Sequence, residues 1–372
     1  MRAERPRLRR TLVAALVCLA PVTGWAHELA SSRYDFVRHV RPILQQRCSS
    51  CHRAGGVAPM SLLRYEEALP WANAVKLMVL ERRMPPFLPE EDVGSWRGSR
   101  GLTAREVDVV VEWASGGAPR GEGAEDGPEP LTRPEARADL VVSALRDTVL
   151  PPEEAERSEC VVFPVRLPAD RPLAAIELRP GNEPIVRGAV IYFGDTCREG
   201  DRPVATWLPG DGAFEMPEGT AEVLHRRASL SARIHYRKTW RLDGKPARDR
   251  SRIALRFAAG RPKPLAHVNL AAGSATTFER AVQLVAVFPL GPRGAPVSLE
   301  AEKPGRETER VLAIERFDPD WRAKYVPAPA LPLPAGTRLT AASGAFWIDY
   351  VTEGAGPLKA APRRRASPAG SP

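Results

Sequence analysis

Cys48-Ser49-Ser50-Cys51-His52 is the stretch from which the rest of this 372-residue chain is read. Two cysteines three positions apart can add to the two vinyl groups of one haem, and a histidine directly after the second is delivered beneath the iron as an axial ligand. With 5 Cys and 6 His in the chain, such a box arises by chance on the order of 0.001 times. The competing reading is a disulfide or redox C-x-x-C. It requires a preceding strand and a βαβ context, and the flanking sequence shows neither.

Working outward, the apolar positions Phe36, Val40, Ile43 and Leu44 follow helical spacing between Tyr34 and Gln46, which predicts an amphipathic helix entering the box, interrupted or restarted at Pro42. His39 in this segment reads as a surface or capping histidine. After the box, Gly55-Gly56 marks a loop. Pro70 opens a helix running to Arg83 with Trp71, Val75, Met78 and Val79 on one face. Met84-Pro85-Pro86-Phe87 then begins an irregular, proline-stiffened loop. Thr103 caps a further helix with Glu106 at the reciprocal position, Val107, Val110, Val111 and Ala114 form its stripe, and Gly116-Gly117 end it. The result is an α-helical unit of about ninety residues, small unless a cofactor fills its core.

A second axial ligand has to come from the opposite side of the haem. Met84 sits at a suitable sequence distance in a stiff loop. Met60 follows His52 by only a few residues, and Met78 reads as helix packing. An open or histidine-ligated iron is the alternative.

The run Phe36-Val37-Arg38-His39-Val40-Arg41-Pro42-Ile43-Leu44, the box itself, Met84-Pro85-Pro86, and Leu102-Thr103 through Trp113 to Gly117-Ala118-Pro119 resemble the mono-haem cytochrome c domain of bacterial secreted redox proteins. That resemblance implies Met84 as the distal ligand and, in many such proteins, fusion to a copper type II, ascorbate-dependent (peptidylglycine-hydroxylating-like) monooxygenase module.

Residues 119–137 form a linker by composition. Beyond it the periodicity turns to strand. Leu140 to Leu145, Cys160 to Leu167, Leu173 to Leu178, Ile185 to Phe193, Ala228 to Tyr236, Ile253 to Phe257, Val282 to Phe288, Val311 to Ile314 and Phe346 to Val351 are short β-rich runs separated by Pro, Gly and Asp. The expected fold class is multidomain: a small α-helical cytochrome c domain (27–118), then an all-β region of two tandem jelly-roll-like β-sandwiches (138–266 and 267–355).

The second half is similar, more weakly, to the copper module, through Pro180-Gly181-Asn182, Trp207-Leu208-Pro209-Gly210-Asp211, Ile234-His235-Tyr236, Trp321 to Tyr325, and Leu333-Pro334-Ala335-Gly336-Thr337. Where that family has a histidine pair this chain has Arg187-Gly188, and where it has an H-x-H pair this chain has Phe288-Pro289-Leu290. Of the first copper site only His235 remains, followed by Arg237. Arginine stays protonated and cannot donate to a cation. His225, His235 and His267 lie on three separate segments. The expectation is one covalent haem c and no copper.

Three functions follow: an exported electron-transfer cytochrome with a degenerate β-region, a haem-fed monooxygenase-like oxidoreductase, or a β-region that binds a partner or ligand.

Residues 1–26, with five arginines before an apolar run from Leu12 to Leu19 and small residues ending at Ala26, read as a cleaved signal peptide. Export to the periplasm or beyond is expected, without a lipid anchor, with a periplasmic redox protein as partner. The formal charge is +9. The signal segment holds +4 of it and Lys359, Arg363, Arg364 and Arg365 in the 356–372 tail hold another +4, so the body carries about +1. That argues against a nucleic-acid surface. The tail reads as disordered. Once Cys48 and Cys51 are assigned to haem, Cys160 and Cys197 remain in the mature chain, as a disulfide or as two buried thiols.

Overall fold

The computed structural model describes residues 31–86, 89–125, 135–198 and 200–354. The signal-peptide segment, the 356–372 tail and residues 126–134 of the linker lie outside the described residues. A small helical part precedes a much larger all-β part.

The first helical element is a π-helical turn, Phe36–Val40, running into the α-helix Arg41–Arg47. Asp35 caps it by accepting from the Arg38 N–H at 2.7 Å, and the Asp35 N–H donates to His39 Nδ1 at 3.2 Å. Pro42 lies in the first turn of the α-helix, where its missing N–H costs nothing.

Thr103 and Glu106 form a reciprocal capping box at the start of the helix Ala104–Ser115. Phe36, Val40, Leu44, Val110 and Trp113 make the buried core of this part.

The helix expected from Pro70 to Arg83 differs. It begins as a 3₁₀ turn, Leu69–Trp71, and its α-helical part, Ala72–Leu80, ends early. Arg82 adopts φ 52°, and this left-handed residue turns the chain so that the Arg83 and Met84 N–H groups both donate to the Met78 carbonyl.

Each of the nine apolar runs named above overlaps a strand, although those starting at Leu140 and Cys160 extend two and three residues past the strand end and those starting at Ile185 and Ala228 begin one residue before it. Two pairs of facing sheets follow one another. The first pair sets Leu140–Ser143, Arg252–Phe257, Arg171–Arg179 and Thr220–Leu224 against Glu156–Pro164, Ser229–Arg237, Val186–Phe193 and Pro203–Trp207. Its core includes Phe163, Leu173, Ile176, Ile191 and Tyr236. Burying each such side chain stabilises by roughly 1.5–3 kcal/mol. The second pair sets Ala266–Leu270, Ala345–Thr352, Val282–Leu290 and Leu331–Leu333 against Ala275–Thr277, Arg338–Ser343, Val297–Glu302 and Thr308–Ile314, around Leu284, Leu299, Leu312 and Phe346.

Cys160 and Cys197 are joined by a disulfide across 37 residues. Closing a loop of that length contributes roughly 3–4 kcal/mol on a chain-entropy estimate.

The two sandwich-like units share a seam. Val190 and Tyr192 meet Phe288, with Trp347 packed alongside. Within the seam, Lys324 Nζ lies 2.5 Å from Asp349 Oδ2, both side chains almost wholly buried. It also donates to the Pro203 and Val204 carbonyls.

The helical part is docked on both units. Arg100 donates to Ser50 Oγ at 3.2 Å, to the Pro209 carbonyl at 2.7 Å and to Asp211 Oδ1 at 2.5 Å, and Arg53 pairs with Glu183. Gly210 has φ +80°, and a Cβ there would lie 2.5 Å from Ser50 Cβ, so only glycine permits this approach. On the other unit, Trp96 packs edge-on to Tyr325 and the Arg97 N–H donates to the Val326 carbonyl. No helix of the described residues is long and apolar enough to cross a membrane.

Candidate cofactor cleft

The helix Arg41–Arg47 delivers the box. The Cys51 and His52 N–H groups donate to the Cys48 carbonyl at 3.1 and 2.9 Å, which winds Cys48 to His52 into one turn. Gly56 folds back over it so closely that a Cβ would lie 2.3 Å from the Cys51 carbonyl oxygen.

Cys48, Cys51, His52, Met60, Met78 and Met84 all line one cleft of about 640 Å³. Its walls on this side are largely apolar, with Val57, Leu62, Val75 and Val79 among them. The remaining wall comes from the β-region, with Arg187, His235 and Trp240 from the first unit and Trp321 from the second.

The chemistry of the donor set fits a covalent haem. Cys48 and Cys51 are free thiols. Burial, with Cys51 beside it, pushes the Cys48 thiol up to about 12, and burial raises Cys51 as well. A disulfide-exchange C-x-x-C depends on the opposite, a depressed thiol. Burial holds the His52 imidazole below its ordinary range, against the opposing effect of the Met60 carbonyl. Its Nδ1 is buried with no hydrogen-bond partner. A neutral ring with an unused nitrogen is the form a metal takes.

Of the methionines, Met84 is exposed at 41% and Met60 is partly buried against the helical core. Geometry places both, and Met78, on the cleft.

The β wall is built by strand alternation. In Ser229–Arg237 the residues Leu230, Ala232, Ile234 and Tyr236 are fully buried in the core, so His235 and Arg237 face outward. Opposite them, Glu156 pairs with Arg237 and Ser158 with His235 in register. In Val186–Phe193 the register slips between Val186, opposite Tyr236, and Gly188, opposite His235. Arg187 is the extra residue of this bulge, and bulges re-aim side chains.

His235 Nε2 lies 2.8 Å from Glu156 Oε1, while its Nδ1 is buried without a partner. Glu156, His235 and Asp320 bring three donor atoms within 4.8 Å of one another. Both carboxylates already carry arginines, with Arg237 at 3.6 Å from Glu156 and Arg293 at 2.6 Å from Asp320.

His225 and His267 are not brought to this site. His225 pairs with Asp170 at 3.0 Å beside a separate, more open depression of about 670 Å³, and His267 lies on the strand Ala266–Leu270, edge-on to Trp347. Glu156 and Asp320 were not among the residues singled out from sequence. The alternation Glu156-x-Ser158 signalled an outward carboxylate, whereas Asp320 reaches the cleft only through the packing of the two units.

No family model matches this chain, and no curated protein matches it. Among solved structures it is similar to the major capsid protein P2 of bacteriophage PM2, at 10% identity and a TM-score of 0.27, over 58% of this chain and 99% of that one.

Proposed function

We propose that this chain is an exported c-type mono-haem electron-transfer protein, in which a cytochrome c domain is fused to a monooxygenase-like pair of jelly-roll sandwiches that has lost its copper sites. The observation that carries the reading is the convergence of two free cysteines, an unpartnered buried imidazole nitrogen and methionine sulfurs on one apolar-walled cleft.

Cys48 and Cys51 would hold the macrocycle covalently, His52 would ligate its iron, and Met84 would supply a sulfur ligand. Bound haem supplies a one-electron iron couple. Val57, Leu62 and Val79 would exclude water from it, and the Arg100 bridge to Ser50 and Asp211 fixes the box against the β-region. A periplasmic redox protein would be its partner.

Arg187 stands where an imidazole would be needed for copper, and the Glu156 and Asp320 carboxylates are engaged by arginines. The Glu156–His235–Asp320 grouping is the one observation that favours the second reading, a metal-dependent oxidoreductase. A bound cation there would have to displace Arg237 and Arg293.

Met84→Ala tests the ligand set. It is expected to abolish the sulfur-to-iron charge-transfer band in the near-infrared of the oxidised protein, while covalent haem is retained. Survival of the band in Met84→Ala and its loss in Met60→Ala would transfer the role to Met60.

A further inference from the structure

Among the described residues, every cation on the β wall and floor of the cleft has a partner except one. Arg47 lies 3.1 Å from Glu106, Arg100 2.5 Å from Asp211, Arg237 3.6 Å from Glu156 and Arg293 2.5 Å from Asp318, and Lys238 donates to the Pro151 carbonyl at 2.5 Å. Arg187 is only 8% exposed, its Nε is buried without a hydrogen-bond partner, and no carboxylate among the described residues stands within ion-pair distance of it.

A guanidinium stays charged, and leaving a charge buried and unpaired costs several kcal/mol. Burial and the neighbouring Arg237 pull this one down to about 10, against a weaker attraction from Cys51 and from Glu156, which makes no ion pair with it, so it is still protonated at neutral pH. Arg187 is the extra residue of the bulge between Val186, opposite Tyr236, and Gly188, opposite His235, and its side chain lines the cleft. A folded protein keeps such a group when something brought to the site neutralises it.

We propose that Arg187 is a carboxylate-binding residue, which reaches from the β-region into the cleft to pair with a carboxylate of its occupant. The carboxylate has two sources: a propionate of the haem itself, which rests on the haem reading above, or a free carboxylic acid that enters the cleft beside it. Either source gives the arginine a use that the departure from a copper-binding histidine leaves unexplained. The fork of N–H donors matches a carboxylate in a way a lysine does not.

The experiment compares the wild type with Arg187→Met and Arg187→Lys in the matured, haem-stained protein, with circular dichroism to show that each variant is folded. If a propionate is the partner, Arg187→Met lowers the iron midpoint potential, Arg187→Lys lowers it less, and added acetate or succinate changes nothing. If a free acid is the partner, succinate produces a saturable spectral shift in the wild type that needs at least ten-fold more succinate in Arg187→Met.

Stability gives a second readout. A merely structural arginine would destabilise on replacement in every form, whereas a ligand-pairing one gives an Arg187→Met variant at least as stable as wild type without haem and less stable with its ligand. Should the protein carry no haem, that failure belongs to the functional reading. Succinate titration followed by the fluorescence of Trp240 and Trp321, which line the same cleft, then decides the inference alone. Potential, succinate response and stability all unchanged by Arg187→Met, or no succinate response in a haem-free protein, overturns it.

Discussion

Cys51→Ser is expected to leave the exported protein with little or no covalently held haem on denaturing gels, the largest single effect the structure predicts. Cys51 and Cys48 emerge from one turn onto one cleft as free thiols. Burial raises both thiols, which disfavours thiolate exchange. A serine hydroxyl cannot form the thioether.

The loss should extend to stability. The helical part has a modest core of its own, built on Phe36, Leu44, Val110 and Trp113, and units of this size bury a smaller fraction of their surface than larger domains do, so they are marginal without a cofactor. Its thermal transition should therefore fall below that of the β-region in Cys51→Ser, which scanning calorimetry would resolve as a separate, earlier peak. Full haem incorporation in the serine variant would show that the box is not the attachment site.

Asp349→Ala is expected to destabilise the β-region by about 3–5 kcal/mol, the range seen when one member of a buried ion pair is removed. Asp349 and Lys324 lie 2.5 Å apart in the seam with side-chain exposures of 3% and 2%, so the substitution strands an ammonium group in a nearly dry contact. Arg202, 3.6 Å from Asp349, retains Glu222 at 2.7 Å and is less affected.

The lysine also donates to Pro203 and Val204 of the first unit, while Asp349 belongs to the second. The pair thus ties the two units together. Replacing both groups together, Lys324→Met with Asp349→Leu, should recover most of the loss, because two apolar side chains need no neutralising partner. Denaturant midpoints of the single and double variants measure this. Equal losses in the two would mean that packing, not charge, holds the seam.

Legibility from sequence followed the range of the interaction. The Thr103–Glu106 capping box and the Phe36, Val40 and Leu44 stripe are local, and they were readable because helix periodicity and capping act over a few residues. The nine β-rich runs were readable for the same reason. Strands such as Pro203–Trp207, Thr220–Leu224, Val297–Glu302 and Arg338–Ser343 were not named. In Thr220–Leu224 and Pro203–Trp207 the buried positions include threonine, proline and glutamate, which breaks the apolar alternation on which the reading depended.

The early end of the helix after Leu80 turned on the left-handed Arg82, a conformation no residue-type rule assigns to arginine. The cleft itself divides in the same way. Its helical half is one short motif and was visible at once. Its β half depends on a one-residue slip at Arg187 and on the second unit carrying Asp320 and Trp321 to the same place. Register and inter-unit packing are long-range properties, and a single sequence records them only indirectly.

On the proposed function, the redox chemistry of this chain resides in one haem held by Cys48, Cys51 and His52, and not in a copper centre around His235. Elemental analysis of the matured protein for iron and copper tests it most directly. About one iron per chain that persists through denaturation, with copper far below stoichiometric after dialysis against a weak chelator, is the predicted result. Tightly held copper near one per chain, or iron lost on denaturation, would contradict it.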